Sequence, residues 1–400
     1  MRLWYAWRTK GVSVTDPPRS FANHLPVRIR FGEGTALELG GIAASHGARR
    51  VLLVIDEGLE GRNDAVAGAV TALRRADLEV DRFDKPPGEP TADVVDAAAD
   101  AVSQSRPHAI VALGGGSVID TAKAARVCAQ EHVRFRDLKP PYPHPIVPLV
   151  AVPTTAGTGS EVSGGTVITD PATGRKAGIA SPSLRAQDAV VDPLLTHSVP
   201  PDATAQTGID ALAQAIAGMI ATVRTPIGDA IALEAIRLIG RSLVAAFRDG
   251  SDDAARSDMA CGSLMAGLTM NIADCTAEHS LGQAIGGMFH APHGLTIGVV
   301  LVQTLERERR VVPEQLERVA DALGVPADGT ADGSRAVRGV RDLLDGMRFP
   351  VLRSIGVDES HVDALTDLAV GDPFLTLSPE PWTTEEVRGA FLAALAEEPR

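Results

Sequence analysis

The chain has 400 residues, with 38 Lys and Arg against 51 Asp and Glu, for a formal net charge of −13. That balance excludes nucleic acid as a main partner, because phosphate binding needs a basic surface, and no apolar run approaches the ~18 residues of a membrane span. Two domains are expected at this length, and three cysteines without CxxC spacing (Cys128, Cys261, Cys275) fit a reducing, cytoplasmic setting without a disulfide framework.

The N-terminal stretch "MRLWYAWRTKGVSV" is basic but lacks the apolar centre of a secretory signal. It holds Trp4, Tyr5 and Trp7, in a chain with three Trp and two Tyr in all. Residues 1–24 read as an atypical arm: a loose extension, an upstream start, or a segment that packs on a neighbouring subunit. From 26 to 195 short β-like runs alternate with amphipathic stretches. "RVLLVID" (50–56) reads as a buried strand, followed by helical pattern to about residue 76. "LEVDRFD" reads as a second strand and "PTADVVDAAADAVSQSRP" as a helix. "HAIVALGGG" is a strand entering a glycine turn, and "SVIDTAKAARVCAQ" is the helix after it. "PIVPLVAVPTTAGTGSEV" is a strand entering a Gly/Thr-rich turn. This alternation predicts a mostly parallel sheet covered on both faces. Beyond "DPLLTHSVPPD" (192–202) Ala, Leu, Ile and Met recur at helical spacing, as in "GDAIALEAIRLIGRSLVAAF" (228–247). The expected division is an α/β dinucleotide-binding domain over 1–197 and an all-helical domain over 198–400.

Two loops carry the cofactor signal. In "LGGGSVIDTAK" (113–123) glycines end a strand and let backbone approach a ligand, and Ser117 opens a helix whose N–H groups and dipole suit a diphosphate. Ile119 occupies the third glycine position of GxGxxG, and Lys123 is not at P-loop spacing. Ser117 and Asp120 also read as a capping box, which is compatible with phosphate binding. "PTTAGTGSEV" (153–162) offers hydroxyls and glycines that can wrap a ribose or nicotinamide. Asp56, ending its strand, can take ribose hydroxyls and repel a 2′-phosphate, which favours NAD and leaves NADP open; it also reads as an Asx residue opening a turn before Gly58.

In the second half "TGIDALAQAIAG" (207–218) is an apolar helix interrupted by Asp210 and Gln214, four apart and hence on one face. "AEHSLGQAIGGMFHAPHG" supplies His279, His290 and His293. On one straight helix His279 and His293 would stand about 21 Å apart, but Gly286, Gly287 and Pro292 offer breaks that fold the segment back. These histidines read either as separate, locally satisfied residues or, with Asp210, as donors to Fe(II) or Zn(II). Cys275 reads as a small core residue.

"GGGSVIDTAK", "PTTAGTGSEV", "TGIDAL" and "HAPHG" together resemble the iron-containing (group III) alcohol dehydrogenases, in order and spacing from about residue 26 to the end of the chain. The resemblance implies a dehydroquinate-synthase-like architecture, with an active site in a cleft between the two domains and a homodimer. It implies a divalent metal held by an Asp and three His. Position by position, Asp210 matches the metal aspartate, and His279 and His293 the second and third metal histidines. Gly115, Gly116, Ser117 and Asp120 match the diphosphate loop. Thr154, Thr155, Thr158 and Ser160 match the second cofactor loop, Lys176 resembles a lysine at the cofactor ribose, and Asp56 matches the acidic residue at the adenosine ribose. The departures are Gln214 in place of the first metal histidine, Gln283 in place of a histidine often given to proton transfer, and Ala217 in place of a frequent glutamate.

The expected reaction is hydride transfer between a nicotinamide cofactor and a small alcohol or aldehyde polarised by the metal. Gln283 cannot titrate, so His290, or a ribose and water chain, is left to move the proton. The alternatives are a metal-free reductase of the maleylacetate reductase type, a sugar-phosphate cyclase relying on Arg224 for phosphate, and a non-catalytic NAD-binding protein with a decayed site.

Overall fold

The computed structural model of the chain describes residues 20–170 and 175–400, without the side chains of 175–177. Trp4, Tyr5 and Trp7 lie outside the described residues. Two compact units emerge among the described residues, one over Leu25–Val199 and one over Pro200–Arg400 with residues 20–24.

The first unit is built on strands β1 (Arg28–Phe31), β2 (Arg50–Asp56), β3 (Glu79–Lys85), β4 (Ala109–Gly114), β5 (Leu149–Pro153), β6 (Gly165–Asp170), β7 (Arg175–Ala180) and β8 (Asp188–Val191). Its helices are α1 (Leu39–Ser45), α2 (Asp64–Arg75), α3 (Ala92–Ser105) and α4 (Gly116–Glu131). The main sheet runs β1-β8-β5-β4-β2-β3, and every pairing in it is parallel. The alternation of side chains along a strand decides which face each residue fills. On β2, Val51, Leu53 and Ile55 join the core under α1 and α2. Leu52 and Val54 join Val102 of α3 and Val118 and Ile119 of α4 on the other face. The helices begin where side chains take over the open N–H groups. Asn63 accepts from Ala65 and Val66 at the start of α2, and Thr91 from Val94 at the start of α3. Strand order reverses between β2 and β4, so the carboxyl ends of these two strands flank the crevice where open α/β sheets take ligands.

The β6–β7 hairpin is an addition to the expected alternation. It pairs antiparallel, apart from the main sheet, and the Asp120 carboxylate anchors it by accepting the Val167 N–H at 2.9 Å.

The second unit is helical: α5 (Pro201–Ile220), α6 (Pro226–Arg248), α7 (Asp253–Ala273), α8 (Ala277–Phe289), α9 (His293–Glu308), α10 (Pro313–Ala322), α11 (Ser334–Gly346), α12 (Val362–Val370) and α13 (Thr384–Leu395). Helix α5 is buried on nearly all sides, as an almost uniformly apolar helix must be, and it packs against α6, α7 and α9. Residues 20–24 group with this unit and not with the α/β unit to which the sequence joined them. The Asn23 amide donates to Thr225 Oγ1, at the start of α6, at 3.1 Å. No helix among the described residues is long and apolar enough to cross a membrane.

Of the breaks offered at Gly286-Gly287 and Pro292, the structure uses the one at Pro292. Helix α8 runs through both glycines to Phe289, and the chain turns at His290, which adopts a left-handed φ of 52° as the C-cap. Pro292 then caps the start of α9, with His293 as its first residue. A left-handed residue followed by a proline cannot continue a helix, and this turn brings His293 back toward His279.

Candidate functional site

Asp210 and Gln214 lie one turn apart on α5, each only 2 % exposed. A buried carboxylate and amide need partners. For Asp210 they come from α8 and α9: His279 Nε2 stands 3.4 Å from Asp210 Oδ1, and His293 Nε2 stands 3.8 Å from the same oxygen. The two rings are 5.5 Å apart, tilted by 59°. One donor atom from each residue lies within 4.8 Å of the other two. Yet Asp210 Oδ1, Gln214 Oε1 and His279 Nε2 are buried without a hydrogen bond of ordinary geometry.

Each such atom costs about 1–3 kcal/mol, and more when charged, against a net stability of roughly 5–15 kcal/mol for a folded protein. Asp210 Oδ1 and His279 Nε2 face each other at 3.4 Å, and a common electrophile would satisfy both, with Gln214 Oε1 one turn away on α5. A carboxylate oxygen, an amide oxygen and imidazole nitrogens are donors to a divalent cation such as Fe(II) or Zn(II), and the residues present fit one. The His293 side chain remains 38 % exposed, which leaves one side of the cluster open, as a catalytic metal requires.

The electrostatics agree. Burial opposes ionisation of Asp210, but His293 and His279, with the Gln214 amide, outweigh it and hold the carboxyl below its ordinary range. Burial likewise opposes the charge on His279. Cys275, Asp210 and Glu278 overcome it, and the imidazole is held well above its ordinary value.

Sequence reasoning missed Glu278. Its Oε1 lies 2.8 Å from His279 Nδ1, and consecutive residues on a helix do not ordinarily face each other. The structure also places Cys275 beside both, so that Cys275, Glu278 and His279 form a second group of donor atoms within 4.8 Å. Cys275 is buried, as expected of a core residue, but it borders the site. Phe374 meets the His279 ring edge-on at 6.1 Å. Gln283 lies one turn beyond His279 on α8 and is half-buried, and His290 is exposed at the helix end.

In the α/β unit the residues expected at the cofactor come off adjacent strands. Gly114 of β4 pairs with Pro153 of β5, and the Thr154 N–H returns to Gly114 O at 3.0 Å. Helix α4 begins at Gly116 with Gly115 as N-cap and no side-chain cap. The capping-box reading of Ser117 and Asp120 therefore fails: Ser117 is already helical, half-buried in the first turn, and Asp120 serves the hairpin. The glycines are there for closeness. A Cβ on Gly116 would meet Thr158 Cγ2 and Oγ1 at 2.7 Å, and one on Gly114 would meet Val118 Cγ2 at 2.5 Å and Asp56 Oδ2 at 3.1 Å. The outcome is a narrow cradle of uncapped N–H groups, with the Asp56 carboxylate beside it. These residues fit a dinucleotide, with the diphosphate on the α4 terminus.

Asp56 does not form an Asx turn. Its main-chain carbonyl accepts the Leu59 N–H at 3.1 Å, and its carboxylate faces the buried Lys85 Nζ at 3.4 Å. Thr155 and Thr158 are half-buried on their loop, whereas Thr154 and Ser160 are turned inward. Lys176 lies on β7 opposite Thr169, and its side chain lies outside the described residues. Arg224 is only 3 % exposed and its guanidinium is bound to Asp229 at 2.5 Å, so it is not available to a phosphate.

The comparisons with known proteins point the same way. Residues 26–193 match the iron-containing alcohol dehydrogenase family, and residues 204–395 match the C-terminal region of the Fe-containing alcohol dehydrogenase family. The chain is similar to the choline dehydrogenase of Bacillus subtilis, 34 % identical over 375 residues covering 91 % of this chain and 92 % of that one. Among solved structures it resembles a 1,3-propanediol oxidoreductase, with a TM-score of 0.88, 31 % identity, and 94 % of this chain and 100 % of that one covered. It also resembles the sulfoacetaldehyde reductase of Bifidobacterium kashiwanohense in complex with NAD+, with a TM-score of 0.87, 28 % identity, and coverage of 95 % and 100 %. By these matches along nearly its whole length, the chain belongs to the iron-containing alcohol dehydrogenase family.

Proposed function

We propose that this alcohol dehydrogenase interconverts a small alcohol and its aldehyde or ketone, using NAD and one divalent metal, Fe(II) or Zn(II), held by Asp210, Gln214, His279 and His293. The observation that carries the reading is the cluster of Asp210, His279 and His293 donor atoms within 4.8 Å of one another, in which Asp210 Oδ1 and His279 Nε2 are buried without a hydrogen bond; Gln214 Oε1, one turn along α5, is likewise unsatisfied. The substrates named for the similar proteins, choline, 1,3-propanediol and sulfoacetaldehyde, share a short carbon chain ending in a primary alcohol or aldehyde, and that is the substrate class proposed here.

When bound, the metal supplies Lewis acidity at the substrate oxygen and the nicotinamide supplies or accepts the hydride. The chain's own residues do the rest. Asp210 and the two histidines fix where the substrate oxygen is held. Gly115, Gly116 and Ser117 hold the diphosphate at the start of α4, with Thr155 and Thr158 flanking it and Asp56 at the ribose; its charge favours NAD over NADP. Asp120, Thr154 and Ser160 support that loop from beneath. Gln283 offers an amide that can orient a substrate oxygen but not a proton. His290, exposed at the end of α8, is the titratable group assigned to proton exchange with solvent. A cytoplasmic homodimer is the setting we propose for this activity.

A metal-free reductase is the second reading, favoured by Gln214 alone, since an amide is a weaker donor than imidazole. Substitution discriminates between the two. His279→Ala and His293→Ala are each expected to abolish metal binding and NADH oxidation with small aldehydes, with circular dichroism unchanged. Retention of full activity in both variants would sink the metal-centred reading.

A further inference from the structure

We propose that Glu278 is a positioning residue that fixes His279 in the tautomer that presents Nε2 to the metal. The proposal rests on the metal reading above. His279 Nδ1 lies 2.8 Å from Glu278 Oε1, and both residues are only 3 % exposed. The carboxylate is held from its other side: Oε1 also accepts the Thr276 N–H at 3.1 Å, and Oε2 accepts the Thr276 hydroxyl. These bonds sit at the N-terminus of α8, where the helix dipole favours negative charge. An ionised carboxylate only accepts, so the proton of the His279–Glu278 bond belongs to Nδ1. The lone pair of the neutral ring is then on Nε2, the nitrogen that faces Asp210 Oδ1 at 3.4 Å without a hydrogen bond of ordinary geometry.

A carboxylate behind a metal-binding imidazole fixes the ring and makes it a stronger donor. Here that has a particular use. Gln214 gives the site an amide in place of a nitrogen donor, and Glu278 strengthens one of the two imidazoles that remain. The alternative use of the same atoms, a cation held by Cys275, Glu278 and His279 on the Nδ1 side, would require breaking the 2.8 Å bond. The Nε2 side requires breaking nothing.

The test uses the full-length protein and Zn(II) as the probe, titrated against a chromophoric chelator. Wild type is expected to bind one equivalent, and Glu278→Gln to bind it about 10–100-fold more weakly, with NADH affinity and thermal melting close to wild type. Equal zinc affinity in Glu278→Gln would overturn the proposal, and a lower melting temperature with unchanged zinc affinity would show a merely structural role. Should the variant not fold, the imidazole ¹⁵N shifts of zinc-loaded wild type decide. A protonated Nδ1 with zinc on Nε2 is expected, and the opposite assignment refutes the proposal. Failure of wild type to bind zinc or iron at all would instead refute the metal reading and the proposal with it.

Discussion

Gln214 stands where the family resemblance implies a metal-binding histidine. It is buried one turn from Asp210 on α5, and its Oε1 has no hydrogen-bond partner. The amide oxygen is a neutral, weak donor. Gln214→His should therefore tighten metal binding on the order of tenfold, about 1.4 kcal/mol, read by chelator competition. A variant that binds metal no better would remove Gln214 from the ligand set. A second residue-scale prediction concerns Glu161, only 3 % exposed. Burial raises its carboxyl from 4.5 to about 7 against the opposing pull of Lys123. Because the folded state binds this proton more tightly than the unfolded chain, the contribution to stability is full below about pH 4.5. It is lost as the pH rises through 7, by on the order of 3 kcal/mol at most. Lys123, lowered by burial from 10.5 to about 8, gives the opposite slope between those two values. Glu161→Gln should flatten the fall in melting temperature between pH 4.5 and 7, and an unchanged slope would show that another group titrates there.

At the scale of elements, two joints position the chemistry. One is the Gly114–Ser117 turn, where β4 enters α4 and backbone takes the place of side chains. Gly116→Ala would put a Cβ 2.7 Å from Thr158, so one loop must give way. NADH affinity is expected to fall on the order of tenfold in a fluorescence titration, while the Zn(II) site of the helical unit keeps its affinity; unchanged NADH binding would place the diphosphate elsewhere. The other joint is the α8–α9 turn. The sequence offered breaks at Gly286-Gly287 and at Pro292 that could fold this segment back; the turn falls at His290–Pro292, and the glycines lie within α8. Glycines weaken a helix without ending it, and α8 is held by burial of Leu281, Ala284 and Ile285. Glu278 escaped notice for a related reason, since adjacency in sequence argues against contact on a helix until the first-turn bonds to Thr276 bend the side chain back. The β6–β7 hairpin escaped because its alternation is short and rich in glycine, and what holds it, Asp120 on the Val167 N–H, is a contact between segments 47 residues apart.

For the whole molecule, strands β2 to β5 were legible because a parallel sheet covered on both faces writes itself as apolar runs, and the long helices because their apolar residues recur at 3.6. Function was legible only as four motifs in order, which the family matches over 26–193 and 204–395 bear out. The sugar-phosphate cyclase alternative loses its support in the structure, because Arg224 is spent on Asp229. The most direct test of the account is metal content by elemental analysis of the purified protein, paired with NADH oxidation on small aldehydes before and after chelation. One equivalent of iron or zinc, with activity lost on stripping and regained on refilling, is the predicted result. Full activity in protein free of metal would contradict it, and would make Asp210, His279 and His293 a polar substrate-binding face.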